Sequence, residues 1–311
     1  MIRRPSKEER AELLHGLRSQ PPTISPRYFY DEAGSKLFAQ ITRTKEYYPT
    51  RTELALLREQ GSEIARHIAR GSVVIELGSG SGDKVVALLS HLDAPRAYRP
   101  IDISPSALAV TEREVRRAFG SLEVLPYGGD FADAEALDGL PPEAPLLVYY
   151  SGSTIGNFDP SDAIRFLSRL RARLRPGDVL LLAVDLVKDE AILNAAYNDA
   201  QNVTAAFNRN ILHHINARFG ASFDPEAFAH NAFYNARKRR IEMHLVPARE
   251  QSVRIGEEAL TFSPTHPIHT ESSYKFDFDD IHALAKNSGF RLDGIVSDPK
   301  RWFAEAILRA P

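Results

Sequence analysis

The sequence predicts an α/β fold with a parallel, doubly wound sheet. Short apolar runs alternate with segments of helical periodicity, and several runs end directly in glycine or acidic residues. The fifth run is continuously apolar, as expected for a strand buried on both faces. These five predicted strands lie at residues 73–77, 99–103, 122–127, 146–149 and 179–184.

The pattern changes after the fifth strand. Residues 189–218 predict one long helix, and residues 238–263 predict strands in which apolar and polar positions alternate. From Asp277 the first pattern returns, with a helix and two strands near residues 290–296 and 302–308. We therefore expect a seven-stranded sheet interrupted by a large insertion.

The interruption predicts two domains. The sheet domain would comprise residues 52–188 and 277–311, and the second, discontinuous α+β domain would comprise residues 1–51 and 189–276. The aromatic-rich segment before residue 50 is assigned to the second domain because it lies outside the sheet pattern.

Composition excludes several kinds of protein. The 311 residues contain no cysteine, which excludes disulfides, thiolate zinc sites, iron–sulfur clusters and a thiol nucleophile. The 39 basic and 41 acidic residues balance, so no nucleic-acid partner is indicated. No apolar run approaches the roughly 18–20 residues that span a bilayer, and the charged start lacks a secretory apolar region. The scattered histidines have no recognised metal-ligand spacing. We expect a cytoplasmic monomer without a membrane partner or a metal.

A glycine-rich loop follows the first predicted strand. Ligands in open α/β sheets bind beyond the carboxyl ends of the strands, and the first such end reads Glu76-Leu-Gly-Ser-Gly-Ser-Gly82. A dinucleotide site would have the spacing G-x-G-x-x-G. The observed G-x-G-x-G is instead typical of Rossmann-like methyltransferases, whose cofactor S-adenosylmethionine has no phosphate. An unrelated α/β turn is the alternative.

The next strand ends offer further cofactor contacts. Asp102 can accept both ribose hydroxyls, and Asp130 and Phe131 can bond and cover the adenine. Lys84 can meet the methionine carboxylate. The alternatives are a turn residue at 102, a helix cap at 130, a core residue at 131 and a solvated lysine at 84.

Longer segments resemble one family, the histidine-specific Nα-methyltransferases that make hercynine, the trimethylbetaine of histidine, on the way to ergothioneine. The resemblance runs from about residue 21 to the C-terminus. It rests on Tyr28-Phe-Tyr-Asp-Glu-Ala-Gly-Ser35, Glu46-Tyr-Tyr-Pro-Thr-Arg-Thr-Glu53, Gly152-Ser-Thr-Ile-Gly-Asn157, Asp185-Leu-Val-Lys-Asp189, Val203-Thr-Ala-Ala-Phe-Asn-Arg-Asn210, Arg240-Ile-Glu-Met243 and Thr270-Glu-Ser-Ser-Tyr-Lys-Phe276.

The resemblance implies a class I methyltransferase fold and a set of site residues. It assigns to the cofactor Gly78, Lys84, Asp102, Asp130 and Phe131. It places around the amino and carboxylate groups of the substrate Tyr47, Gly152, Asn157 and Tyr197, of which the first three are assigned to catalysis. It assigns to the imidazole and its pocket Glu271, Ser272, Ser273, Tyr30 and Met243.

The segment at 270–276 departs from the family, which has a sequence closer to Thr-Glu-Val-Ser-Cys-Lys-Phe. Ser272 and Tyr274 stand here in place of the valine and the cysteine, while the glutamate and the second serine remain. Glu271 has the alternative of an ion pair with Lys275, and Asn157 that of a turn or cap residue. The tyrosines at 30, 47 and 197 have the alternative of purely structural, half-buried residues.

The chemistry suits this composition. Methyl transfer to an amine needs neither a covalent enzyme intermediate nor a metal, but it needs precise positioning and a neutral amine. Tyr47, a phenol with an ordinary pKa near 10, is better suited to orient the amine than to deprotonate it. The sequence therefore predicts three successive methyl transfers from S-adenosylmethionine to L-histidine and its methylated intermediates.

Three other functions remain open at this point. A member of the same family can act on another amino acid, such as a tryptophan derivative. A dinucleotide-dependent oxidoreductase would require a different glycine spacing. A non-catalytic sensor of the same ligands would bind them without turnover.

Overall fold

The structure is a computed structural model, and it describes residues 5–130, 134–138 and 143–311. The α-helices of these residues are α1 (Lys7–Leu17), α2 (Glu32–Ile41), α3 (Pro49–Ala65), α4 (Asp83–Leu89), α5 (Pro105–Ala118), α6 (Pro160–Arg171), α7 (Glu190–Ala196), α8 (Val203–Phe219) and α9 (Phe278–Asn287). The strands are β1 (Val73–Leu77), β2 (Ala97–Asp102), β3 (Glu123–Val124), β4 (Tyr127–Gly128), β5 (Leu146–Tyr150), β6 (Val179–Asp185), β7 (Phe228–Asn235), β8 (Arg240–Pro247), β9 (Gln251–Ile255), β10 (Glu258–Phe262), β11 (Ile268–Tyr274), β12 (Arg291–Ser297) and β13 (Phe303–Arg309). Short 3₁₀ turns lie at Pro26–Phe29, Ala134–Leu137, Thr154–Asn157 and Pro225–Ala227.

The chain divides into two compact units. The insertion unit comprises Met1–Tyr47 and Asp189–Ser273, and the sheet unit comprises Tyr48–Lys188 and Tyr274–Pro311. The units therefore change at 48 and 274, where the sequence predicted boundaries at 52 and 277.

The sheet unit contains one large sheet. Among the described residues its strand order is β12-β13-β6-β5-β1-β2-β3, and β4 also pairs with β2. The strands from β6 to β4 are parallel, whereas β13 runs antiparallel to both β6 and β12. Because β3 and β4 are two short segments along the same neighbour, the sheet has seven strand positions. The predicted α/β fold with a doubly wound sheet is confirmed, but the sheet is mostly rather than entirely parallel because β13 is antiparallel to its neighbours.

Both faces of this sheet are covered, which explains the continuous apolar runs. Every residue of β1, β5 and β6 is buried. Alternate side chains go to opposite faces. On one face they pack with α3 and α4, and on the other with α6 and α9. The strand ends that carry the glycine loop are therefore held by a rigid core.

The insertion unit contains a three-stranded sheet, β11-β8-β7, and the hairpin of β9 and β10. Helix α8 packs against α2 and against strands β7 and β8. Strands β7 and β11 were not among the sequence predictions. The polar residues of β7 and the prolines before β11 gave no clear period-2 pattern there.

The single helix predicted at 189–218 is wrong, since the structure has two helices, α7 and α8. Asp199 causes the break because its carboxylate accepts the backbone N–H groups of Val203 (2.8 Å) and Thr204 (2.7 Å). Asn202 adopts a left-handed conformation, with φ of 59°. The apolar periodicity continues through this capping turn, so periodicity alone did not show the break.

A buried charge cluster lies in the sheet unit at the end of β6. The Asp185 carboxylate accepts hydrogen bonds from Tyr48 (2.7 Å), Lys188 (2.5 Å) and Lys275 (2.8 Å). Burial alone would raise the pKa of the Asp185 carboxyl, but the ammonium groups of Lys275 and Lys188 hold it below its ordinary value. Burial lowers the pKa of Lys188 to about 8. One carboxylate thus pairs with two ammonium groups that have almost no access to water.

Candidate active site

The glycine loop connects β1 to α4 in left-handed backbone conformations. The φ angles are 80° at Gly78, 57° at Gly80 and 82° at Gly82. A Cβ at Gly78 or Gly80 would meet nothing within 4 Å, so the loop presents its main chain to open space. The α4 helix begins directly after it, with no side chain capping its first turn. These features allow close approach of a ligand to the backbone.

Asp102 lies beside this loop. It ends β2, and its neighbour Ile101 pairs with Leu77 at the end of β1. Burial raises the pKa of the Asp102 carboxyl, although N–H groups of Ser104, Gly80 and Ser79 oppose the shift by hydrogen bonding. The structure therefore brings the predicted ribose carboxylate and the glycine loop together, while Asp102 also closes the turn to Ser104 (2.8 Å).

Glu76, two residues before the loop, is a buried acid. Its carboxyl is hydrogen-bonded by the Tyr98 hydroxyl. Burial raises the pKa of Glu76 to about 8, and the bond from Tyr98 and the charge of Lys84 only partly oppose this shift. Glu76 is therefore a predominantly neutral acid at pH 7, set beneath the loop.

We expect Glu76→Gln to make the free energy of unfolding less dependent on pH. A carboxyl with a raised pKa in the folded state stabilises most below its unfolded pKa of 4.5, and this contribution is lost as the pH rises toward about 8. Within that window the loss approaches about 1.4 kcal/mol per pH unit. Urea unfolding from pH 5 to 9 would show a smaller decline in the variant than in the native protein. Glu112→Gln, at an exposed ion pair with Arg116, is the matched control; parallel curves for native protein and Glu76→Gln would contradict the expectation.

Lys84 is not a solvated lysine. Its ammonium lies 2.6 Å from the Glu53 carboxylate, and its side chain is 18% exposed. The same carboxylate accepts the Tyr149 hydroxyl (2.7 Å) and the Gly152 N–H (3.0 and 3.1 Å). Glu53 was absent from the predicted site. Glu53 ends one of the segments on which the family resemblance rests, but no role was predicted for it because its partners lie 31, 96 and 99 residues away.

Gly152 and Asn157 lie in the loop that follows β5. Gly152 has φ of 73°, and a Cβ there would stand 3.3 Å from the Lys84 ammonium nitrogen. Asn157 ends the turn Thr154–Asn157 and is partly exposed. It is not the N-cap of α6, since Asp159 occupies that position.

Of the two predicted adenine residues, the structure describes one. Asp130 follows β4, in the strand position next to β2, and it is exposed. Phe131 lies outside the described residues.

The insertion unit brings most of the predicted substrate residues together. Aromatic rings follow one another from Tyr30 to Phe38 (5.8 Å between centroids), Phe38 to Tyr47 (6.3 Å) and Tyr47 to Tyr197 (6.2 Å). The Tyr197 hydroxyl donates to Ser273 at 2.8 Å. Phe38, which links two of the tyrosines, was not among the predicted residues.

Strand β11 separates the predicted imidazole residues by face. Glu271 and Ser273 are two apart and therefore share one face, whereas Ser272 points to the other. The Ser272 hydroxyl lies 3.2 Å from His269 Nε2. Met243 is buried on the adjacent strand β8, where its carbonyl accepts the Thr270 hydroxyl at 3.1 Å. An ion pair with Lys275 was the alternative interpretation of Glu271. The structure shows Lys275 paired with Asp185, at 2.8 Å.

A hydrogen-bonded chain holds Tyr197 against this sheet. His230 Nε2 lies 2.9 Å from the Tyr197 carbonyl, and His230 Nδ1 lies 2.9 Å from the Asn208 amide nitrogen. Asn208 in turn accepts the Thr270 hydroxyl at 2.7 Å. Burial lowers the pKa of His230, which fits a neutral imidazole that donates through one nitrogen and accepts through the other. Sequence reasoning missed both His230 and Asn208.

Two further observations apply to the part of the chain that the structure describes. There, no group of three or more histidine, cysteine, aspartate or glutamate side chains is arranged to hold a metal ion. No helix in that part is both long enough and apolar enough to cross a membrane.

Comparison with known proteins decides the family. Residues 9–310 match the family model described as histidine-specific methyltransferase, SAM-dependent. The chain belongs to this family. The resemblance inferred from the sequence segments is thereby confirmed.

Two bacterial relatives are similar over most of their length. The chain is 42% identical to the histidine N-alpha-methyltransferase of Mycobacterium tuberculosis (strain CDC 1551 / Oshkosh), over 86% of this chain and 84% of the relative. It is 40% identical to the histidine N-alpha-methyltransferase of Mycolicibacterium smegmatis, over 93% of this chain and 91% of the relative. A 4-dimethylallyltryptophan N-methyltransferase of Claviceps purpurea is 28% identical, over 89% of this chain and 88% of the relative.

Proposed function

We propose that the protein transfers three methyl groups in succession from S-adenosylmethionine to the α-amine of L-histidine and so forms hercynine, the first step of ergothioneine biosynthesis. The main support for histidine as the substrate is that residues 9–310 match the histidine-specific family. The face of β11 that presents Glu271 and Ser273, with Tyr197 bonded to the serine, supports it.

The sheet unit has residues that suit the cofactor. Gly78 offers main chain without a Cβ, and the Asp102 carboxylate beside it suits the two ribose hydroxyls. Lys84 suits the methionine carboxylate, and Asp130 and Phe131 are proposed at the adenine. S-adenosylmethionine supplies an electrophilic methyl group on a sulfonium, so the protein itself needs no nucleophile and no metal.

The site has two tasks in the reaction. It orients the amine, and it favours the neutral form of the amine over the protonated form. Tyr47, Gly152 and Asn157 are proposed to hold the amino and carboxylate groups, with Tyr197 as a further partner. Orientation of this kind lowers the barrier by several kcal/mol. A positive sulfonium near the amine favours the neutral amine, which carries the nucleophilic lone pair. Each transfer is followed by loss of one proton from the amine before the next, except after the third.

Recognition of histidine is assigned to the far end of the pocket. Glu271 can accept an imidazole N–H, and Ser273 can bond the other ring nitrogen. Tyr30 and Met243 are proposed as its walls, and Ser272 as a neighbour in the same segment. An analogue without ring nitrogens would leave these buried polar groups unpaired, which disfavours its binding.

Mass spectrometry of incubations with S-adenosylmethionine tests the proposal. We expect histidine to gain one, two and three methyl groups, and we expect tryptophan and other amino acids to react far more slowly. Equal or faster turnover of tryptophan would refute the histidine assignment. Binding of S-adenosylhomocysteine without turnover of any amino acid would indicate a sensor.

Asp102→Ala is expected to weaken cofactor binding and to leave histidine binding unchanged. Loss of two charge-assisted hydrogen bonds would raise the Kd of S-adenosylhomocysteine by about 10- to 100-fold. Calorimetry measures this Kd, and steady-state kinetics at saturating cofactor measure the KM for histidine. Asp93→Ala, at an exposed pair with Arg70 in the same unit, is the control. An unchanged cofactor affinity would refute the ribose role.

Further properties complete the proposal. We propose a monomer that acts in the cytoplasm on a small substrate without binding nucleic acid. The near balance of 39 basic and 41 acidic residues suits a small zwitterionic substrate. Sedimentation of the purified protein at micromolar concentration would test the monomer.

A further inference from the structure

Glu53 is a buried, multiply hydrogen-bonded carboxylate of the sheet unit to which the proposed reaction assigns no role. It lies on α3 and is 0% exposed. Its Oε1 accepts the Tyr149 hydroxyl and the Gly152 N–H, and its Oε2 accepts the Lys84 ammonium and the same N–H. The two oxygens thus accept hydrogen bonds from three residues, which lie on α4, on β5 and in the loop after β5.

Two of these partners belong to the proposed methyl-transfer site. Lys84 is assigned to the cofactor and Gly152 to the substrate amine. They adjoin each other, since a Cβ on Gly152 would stand 3.3 Å from the Lys84 ammonium nitrogen. Glu53 is therefore a common support for one group on the cofactor side and one on the substrate side.

The physical strength of this support follows from charge and burial. Hydrogen bonds between ionised partners are roughly twice as strong as neutral ones. A side chain without solvent access and with every acceptor used has one accessible orientation. Groups bound to it are accordingly fixed in position, and placement errors of about 1 Å can reduce the rate of an oriented reaction by about 100-fold.

A second buried carboxyl of this region, that of Glu305 on β13, is influenced by Glu53. Glu305 is fully buried, and neither of its oxygens has a hydrogen-bond partner among the described residues. Burial, together with the charge of Glu53, raises the pKa of Glu305 well above its ordinary value. An unpaired ionised carboxylate at such a site would carry a large desolvation penalty. Glu305 therefore favours its neutral form, and the carboxylate that contacts the Lys84 ammonium is that of Glu53, at 2.6 Å.

We propose that Glu53 is a positioning residue for methyl transfer, which sets the Lys84 ammonium and the Gly152 backbone in their working places at the same time. This inference rests on the proposed function, because Lys84 and Gly152 matter only if they bind cofactor and substrate. It adds a residue that touches neither ligand and acts through two that do.

The decisive variant is Glu53→Gln, with Glu112→Gln on the surface of the same unit as its control. The amide keeps one acceptor oxygen but turns an NH₂ group toward Lys84 or toward Gly152. We expect kcat with histidine to fall about 10-fold or more, and we expect the Kd of S-adenosylhomocysteine to rise about 10-fold. The KM for histidine should change less than about 3-fold, because most of the proposed contacts to histidine lie in the insertion unit and do not involve Glu53 or its partners. Calorimetric stoichiometry should stay at that of the native protein.

Stoichiometry separates positioning from mere structural damage. A purely structural role would reduce the fraction of competent molecules and leave the Kd of the remainder unchanged. That result would overturn the proposal, and so would native kcat and Kd in Glu53→Gln. If the single variant does not fold, Glu53→Gln combined with Lys84→Met removes both charges, and its kinetics are compared with Lys84→Met alone. Slower turnover in the double variant supports the proposal, and equal turnover overturns it.

Failure of the proposed function would look different. In that case the native protein itself would not methylate histidine. Failure of the Glu53 inference would show as an active native protein whose Glu53→Gln variant is equally active.

Discussion

Glu271→Ala is expected to raise the KM for histidine far more than the KM for S-adenosylmethionine. Glu271 is buried on β11 and shares a face with Ser273. A carboxylate that accepts an imidazole N–H would contribute about 1.5–3 kcal/mol, and its loss would lower kcat/KM for histidine by about 10- to 150-fold. Steady-state kinetics with each substrate varied in turn measure both effects.

Glu271→Gln is the conservative companion of this variant. The amide still accepts a hydrogen bond but lacks the charge, so its kcat/KM for histidine should lie between those of the native protein and the alanine variant. Affinity for S-adenosylhomocysteine, measured by calorimetry, should be native in both. If kcat/KM for histidine and affinity for S-adenosylhomocysteine fell by equal factors, Glu271 would have no particular role toward the imidazole.

The parts of the fold that sequence predicted best are those specified by local pattern. The runs that became β1, β5 and β6 are continuously apolar because both faces of the sheet are covered. The glycine loop was recognisable because left-handed backbone at three nearby positions requires glycine. Asp102 followed from its place at the next strand end.

The parts that sequence did not predict depend on contacts between distant residues. The break between α7 and α8 depends on Asp199, which caps the start of α8. Its role was not recognisable in sequence because the apolar period continues through the break. No role was predicted for Glu53 because nothing near it in sequence indicates its bonds to Lys84 and Gly152. The link from His230 through Asn208 to Thr270 likewise joins three separate elements.

The buried charges around Asp185 are expected to contribute strongly to the stability of the protein. The cluster around Asp185 holds two ammonium groups with very little exposure, 4% for the Lys188 side chain and 1% for that of Lys275. One carboxylate serves both cations, and Tyr48 adds a hydrogen bond to it. Removing one partner of a buried ion pair costs about 3–5 kcal/mol because an uncompensated charge remains.

Asp185→Asn is therefore expected to lower the free energy of unfolding by about 3–5 kcal/mol. Urea unfolding at pH 7 measures the loss, and Asp162→Asn, at the exposed pair with Arg165, should change stability by less than about 0.5 kcal/mol. Adding Lys275→Met to Asp185→Asn removes one of the two stranded cations and should recover part of the stability. If the double variant were less stable than Asp185→Asn by the full effect of Lys275→Met alone, the two residues would not be coupled, and the loss would reflect packing rather than charge.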